Sequence, residues 1–183
     1  IVCFFGCASA EADWVVNFNN NNGCCGNQRA DEIRANILAW IKEAESFKWG
    51  GSGETAAQYF ARIAANHHIQ GFTPTTRLHV TFFNPETNLL DEMVVIGEAA
   101  IIEWSQTNHD LLATAGGEQQ ISFQDVAWDP ISHVASDIAV VTTKVTATGD
   151  TWEHRNFYSY HFSLDNLSLE TLELFAGPAK QIQ

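Results

Sequence analysis

The side chains in this sequence best suited to chemistry are seven histidines, two carboxylates in β-rich segments and four clustered cysteines. Histidine shuttles protons near neutral pH because its reference pKa is about 6.5. His79 and His154 fall in segments of β character, and His133 just before one. Asp125 lies between Phe123 and Trp128, where burial would raise its carboxyl pKa and make it a base; Asp137 is a second strand carboxylate. A solvent-facing acid is the alternative for either. His67 and His68 are adjacent, so both cannot face one site from a helix; they read as a helix end, where an imidazolium meets the negative dipole. The sequence holds no phosphate-cradling glycine loop, nucleophile elbow or spaced His/carboxylate metal motif, so neither a cofactor nor a metal is expected.

Cys3, Cys7, Cys24 and Cys25 all fall within the first 25 residues. An even count in one segment predicts two disulfides pinning an N-terminal extension over residues 1–28, with three connectivities open. Cys24 and Cys25 are neighbours, so each reaches back to Cys3 or Cys7 more readily than to the other. A four-cysteine zinc site would need a spacer that Cys24–Cys25 lacks. Disulfides imply a secreted or otherwise oxidising location, and the glycosylation triplet Asn166-Leu167-Ser168 agrees with it.

With 183 residues, 45% hydrophobic and 11% aromatic, the chain suits one folded domain over residues 29–183 beyond that extension. Acids number 22 against nine Lys plus Arg, a formal charge of −13. Nucleic acid is not an expected partner, because phosphate binding needs clustered cations. A membrane is not expected either, since no run approaches about 18 consecutive apolar residues.

The elements that must position these groups can be read from periodicity. Ala30 to Lys48 predicts a helix, with Ile33, Ile37, Trp40, Ile41 and Ala44 recurring at helical spacing. Glu54 to His67 predicts a second, with Tyr59, Phe60 and Ile63 on one stripe. A strand over Thr75 to Phe83 and a short one over Met93 to Ile96 precede a third helix, Gly97 to Ala113. The period then becomes two. Ile121 to Trp128, Ile138 to Thr148, Trp152 to Leu164 and Leu167 to Phe175 predict an antiparallel meander. Leu167 and Leu169 occupy one phase and Leu172 and Leu174 the other, which predicts a bulge near Glu170. Asn19 to Asn27 reads as a loop.

Two stretches carry a likeness to a known superfamily. Gly97-Glu98-Ala99-Ala100-Ile101-Ile102-Glu103-Trp104 and the run Phe157 to Phe175 (FYSYHFSLDNLSLETLELF) resemble the third helix and final hairpin of nuclear transport factor 2-like proteins. Those include ketosteroid isomerases, SnoaL-like polyketide cyclases and scytalone dehydratase. The resemblance covers roughly residues 30–177 and implies an α+β fold, a cone-shaped curved antiparallel sheet wrapped around three N-terminal helices (a cystatin-like α+β roll). It also implies a mostly apolar cavity for a hydrophobic small molecule, and dimerisation across the outer sheet face.

Alternation then assigns faces. If Phe162 points inward, so do Tyr160, Tyr158, Asn156 and His154, while His161, Ser159, Phe157 and Arg155 point outward. The position of the isomerase base matches Asn84, before Pro85, and an Asn cannot act as a base. Turn capping is its other role. The position of the isomerase oxyanion donor matches Tyr158, which can donate a hydrogen bond. Likeness to scytalone dehydratase implies His79, His133, Asn156, Tyr158 and Tyr59 as candidates for handling a proton and polarising a carbonyl. Trp40, Trp104 and Trp128 would line an aromatic pocket. The function so implied is a cofactor-free lyase or isomerase, the alternative being a non-catalytic secreted ligand-binding or assembly module.

Overall fold

A computed structural model describes residues 25–51, 53–84, 86–123 and 126–182, without the side chains of 25–29 and 123. Its helices are α1 (Cys25–Glu45), α2 (Ala56–Asn66) and α3 (Glu98–Thr114), the last of which follows two strands. The strands are β1 (Arg77–Asn84), β2 (Leu89–Ile96), β3 (Gly117–Phe123), β4 (Ala127–Asp129), β5 (Val134–Val145), β6 (Thr151–Ser163), β7 (Ser168–Ala176) and β8 (Lys180–Gln181). They form one sheet in the order β2-β1-β7-β6-β5-β3, with β4 also pairing β5 and β8 pairing β6. Every ladder among these strands is antiparallel except β1 with β7. The result is the open, curved α+β roll that the resemblance implied.

Helix α1 begins earlier than its apolar period suggests, at Cys25, so Cys25 to Asn27 belong to the helix and not to the loop expected there. Ile37, Trp40 and Ile41 from α1, Ile63 from α2 and Ile101 from α3 are buried against the sheet, as their spacing requires. Thr55 caps α2 in a capping box with Gln58, which satisfies amide groups at the helix start. Gly97 precedes α3 at φ 92, and a Cβ there would stand 3.1 Å from the Pro74 carbonyl oxygen. Only a glycine accommodates both the angle and the approach.

The expected second strand is longer than its apolar core, pairing residue for residue with β1 from Arg77–Ile96 to Asn84–Leu89. The strand expected over Ile121 to Trp128 is two pieces, β3 and β4, each paired to a different part of β5. In the β6–β7 ladder His161 faces Thr171 and Phe162 faces Leu169, leaving Glu170 unpaired. That is the bulge the leucine phase shift predicts. It lets Leu169 and Leu172, three apart, both serve the interior.

Candidate active site

Between the sheet and the helices lies a cavity of about 540 Å³. Its wall is mostly apolar, with Trp40, Trp49, Phe60, Phe72 and Trp104 from the helix side and Leu78, Val80, Leu172 and Leu174 from the sheet. Such a space with a few convergent polar groups is the usual form of a small-molecule site. Here the polar groups are Glu45 at the end of α1, a row on β6, Ser105 and Asn108 of α3, and Gln119 of β3.

On β6 the inward row is the one that alternation assigns. His154, Asn156, Tyr158 and Tyr160 line the cavity, whereas Arg155 and Phe157 are exposed. Phe162, further along, is buried edge-on against Trp40 and closes the core beyond the cavity rather than lining it. Asn156 Nδ2 donates to the Tyr158 hydroxyl at 2.9 Å, and the Tyr158 and Tyr160 rings lie nearly parallel with centroids 6.0 Å apart. Burial pushes the Tyr158 phenol well above its ordinary pKa, so it keeps its proton and can donate it. Burial also holds the His154 imidazole below its usual value, in the neutral form at pH 7.

The Tyr160 hydroxyl donates to Glu45 Oε1. Glu45 is the last residue of α1 and lines the cavity, yet it is only 6% exposed. Asp137 of β5 stands opposite Tyr158 in the ladder, on the same face of the sheet, and is 3% exposed. Burial first, and then the Asp137 charge, push the Glu45 carboxyl up to about 10. Burial likewise raises Asp137, while its hydrogen bond with Glu45 works in the opposite sense. Glu45 Oε2 and both Asp137 oxygens meet no N–H or O–H donor among the described residues. The Asp137 charge opposes ionisation of Glu45, so the two buried acids titrate as a coupled pair.

The remaining expected site residues are placed as follows. Trp40 and Trp104 line the cavity, as expected of them. Tyr59 does not: its hydroxyl is taken up by Ser46 Oγ at 2.8 Å and by the Glu43 carbonyl, tying α1 to α2. His79 is exposed on the outer face because Leu78 and Val80, one residue to either side, point inward. His133 sits half-buried in the turn before β5 at φ 57, outside the cavity wall, its carbonyl accepting from the Phe162 amide at 3.1 Å. Asn84 closes the β1–β2 turn: Oδ1 accepts from the Glu86 amide at 2.9 Å and Nδ2 donates to Asp91 at 2.6 Å. Trp128 packs on the core without lining the cavity. Asp125, Cys3, Cys7, Cys24 and the Cys25 side chain lie outside the described residues.

Glu45 is the residue that periodicity should have exposed. It stands four residues after Ile41 and eight after Ile37, on the buried stripe of α1, where a carboxylate is out of place unless partnered. Asp137 carries the same signal on β5, between the fully buried Ala135 and Ala139. Among the described residues no cluster of three metal-ligating side chains occurs. No described helix is long and apolar enough to cross a membrane.

No protein-family model matches the chain, and no curated protein matches it in sequence. Solved structures do match in three dimensions. An NTF2-like protein of unknown function from Cytophaga hutchinsonii superposes with a TM-score of 0.50 at 12% identity, over 79% of this chain and 98% of its own. The BvnE pinacolase from Penicillium brevicompactum superposes with a TM-score of 0.51 at 9% identity, over 88% and 90%. A SnoaL-like polyketide cyclase homologue from Shewanella denitrificans reaches 0.46 at 11%, over 79% and 89%. At these identities the match is one of fold, and the fold is nuclear transport factor 2-like.

Proposed function

We propose that this chain, with its nuclear transport factor 2-like fold, is a cofactor-free lyase or isomerase that works on a hydrophobic small molecule by acid/base chemistry inside the cone. The observation that carries the reading is Glu45, a buried carboxyl in the wall of an apolar cavity of about 540 Å³, with the charge of the buried Asp137 acting on it. A coupled carboxyl pair offers an acid and a base at one pH, which general acid/base catalysis needs. The ionised member takes a proton from substrate carbon or oxygen, and the protonated member returns one. Tyr160 holds Glu45 in place through its hydroxyl. Tyr158, keeping its own proton, stabilises negative charge developing on a substrate oxygen. A pinacolase built on the same fold agrees with chemistry of this kind.

The test uses 5-nitrobenzisoxazole, whose ring opens when a base removes the C3 proton, breaking the N–O bond to give a nitrile phenolate. At pH 10 and above, where Glu45 is ionised, its desolvated carboxylate in the apolar cavity should accelerate that opening, and Glu45→Gln should reduce the acceleration about 100-fold. Equal rates with and without wild-type protein would remove the base from the proposal.

A second reading concerns assembly and is compatible with the first. The outer sheet face exposes Val94, Phe157 and Phe175, which supports a homodimer joined across that face. Secretion, with disulfides among Cys3, Cys7, Cys24 and Cys25, remains part of the proposal and is tested by counting free thiols in the protein from its source.

A further inference from the structure

We infer that the cavity selects an uncharged molecule carrying a hydroxyl, which Asn156 and Tyr158 hold together, and that it turns away carboxylates and phosphates. The inference rests on the cavity being the ligand site, and it adds the class of molecule.

The charge argument comes from the wall. Among the described residues that line the cavity none is Lys or Arg, and the titratable members are Glu45, His154, Tyr158 and Tyr160. His154 is half-buried, which disfavours its charged form, and the Glu45–Asp137 pair contributes negative charge or none. An anion entering such a space loses its hydration and gains no cation in return.

The hydroxyl argument comes from what the polar side chains leave unused. Asn156 is buried, and its Nδ2 is engaged with the Tyr158 oxygen at 2.9 Å, while its Oδ1 has no donor among the described residues. Tyr158 has accepted one hydrogen bond and still holds a proton to give. The two side chains therefore present one free acceptor and one free donor, two residues apart on one face of β6. Turning the amide over exchanges which residue supplies which and leaves the sum the same. A hydroxyl is the small neutral group that donates and accepts at once, so it satisfies both. An amine in its ammonium form only donates, an ether only accepts, and a hydrocarbon leaves Asn156 Oδ1 buried and unpaired, which is the costly outcome. The Trp40 indole N–H, buried on the facing helix with no acceptor among the described residues, leaves room for a second polar atom on the same ligand.

The experiment titrates the full chain by calorimetry with four probes of one size and shape: 2-naphthalenemethanol, 2-ethylnaphthalene, 2-naphthylmethylamine and 2-naphthoate. The alcohol should bind about tenfold more tightly than the ethyl compound, the worth of one well-made hydrogen bond. The amine should fall below the alcohol, and the carboxylate at least about 30-fold below it. In Asn156→Leu and in Tyr158→Phe the alcohol should lose its lead over the ethyl compound while the ethyl affinity stays within about twofold. A carboxylate or amine that matches the alcohol overturns the inference, as does an ethyl compound that matches it. The wild-type series decides this even if either variant fails to fold. If none of the four binds, the cavity is not a ligand site, and that earlier reading falls together with this one.

Discussion

Tyr160, on the inner face of β6, donates its hydroxyl to Glu45 at the end of α1, a residue 115 positions earlier in the chain. Both side chains are buried and Glu45 lines the cavity, so one bond joins the helix layer to the sheet at the wall of the candidate site.

Removing that bond should be felt as stability. Tyr160→Phe leaves Glu45 Oε1 buried without a donor, a loss of about 1–3 kcal/mol. For a chain of this length each kcal/mol lowers the melting temperature by roughly 2–4 °C. A calorimetric melt of Tyr160→Phe within 1 °C or so of wild type would show that the bond contributes nothing net.

The carboxyl pair makes stability depend on pH in a definite direction. A glutamate carboxyl ordinarily titrates near 4.5, and burial pushes that of Glu45 up to about 10 in the folded protein. A group whose folded pKa is raised contributes its full stabilisation below the unfolded value and loses it as pH rises toward the folded one. The melting temperature of wild type should therefore fall as pH climbs from about 5 toward about 9. Glu45→Gln keeps the shape, cannot ionise, and should flatten that decline. Parallel slopes for the two proteins would place the pH dependence elsewhere.

The outward phase of His79 separates it from the chemistry. His79→Ala should leave the rate of 5-nitrobenzisoxazole opening within about twofold of wild type, whereas Glu45→Gln lowers it by about two orders of magnitude. A large loss in His79→Ala would mean that the reaction takes place on the outer face of the sheet, where His79 borders a shallow groove with Phe157 and Phe175.

The aromatic wall can be probed through Trp40. It is fully buried and meets both Phe72 and Phe162 edge-on, with centroids 5.9 and 6.0 Å away. Trp40→Ala should cost about 3–5 kcal/mol in urea unfolding, the range for deleting a large buried aromatic. A cost below about 1 kcal/mol would indicate that the ring is not packed as described.

Assembly has its own readout. Phe157 and Phe175 are cross-strand partners on β6 and β7 and are 45% and 41% exposed. Phe157→Glu should convert a dimer to a monomer in sedimentation velocity, with little change in the melting temperature of the monomeric fold. A wild-type protein that sediments as a monomer at micromolar concentration would end the dimer reading.

Much of this was legible from the residues alone. The period of β6 placed His154, Asn156, Tyr158 and Tyr160 on one face, because side chains alternate strictly in a strand. The leucine phase shift located the bulge at Glu170, because a phase change inside one strand admits few other causes. Local rules of this sort need only neighbours in sequence. His79 shows how the same rule fails in practice: period two has two phases, and only the packing of Leu78 and Val80 under the helices decides which phase is inside. The carboxyl pair lay further out of reach. Glu45 and Asp137 each stand on an apolar stripe, and that much can be read from spacing. The electrostatic coupling between them exists only once α1 is laid across the sheet. Burial and charge proximity act through space, so no window of sequence contains them.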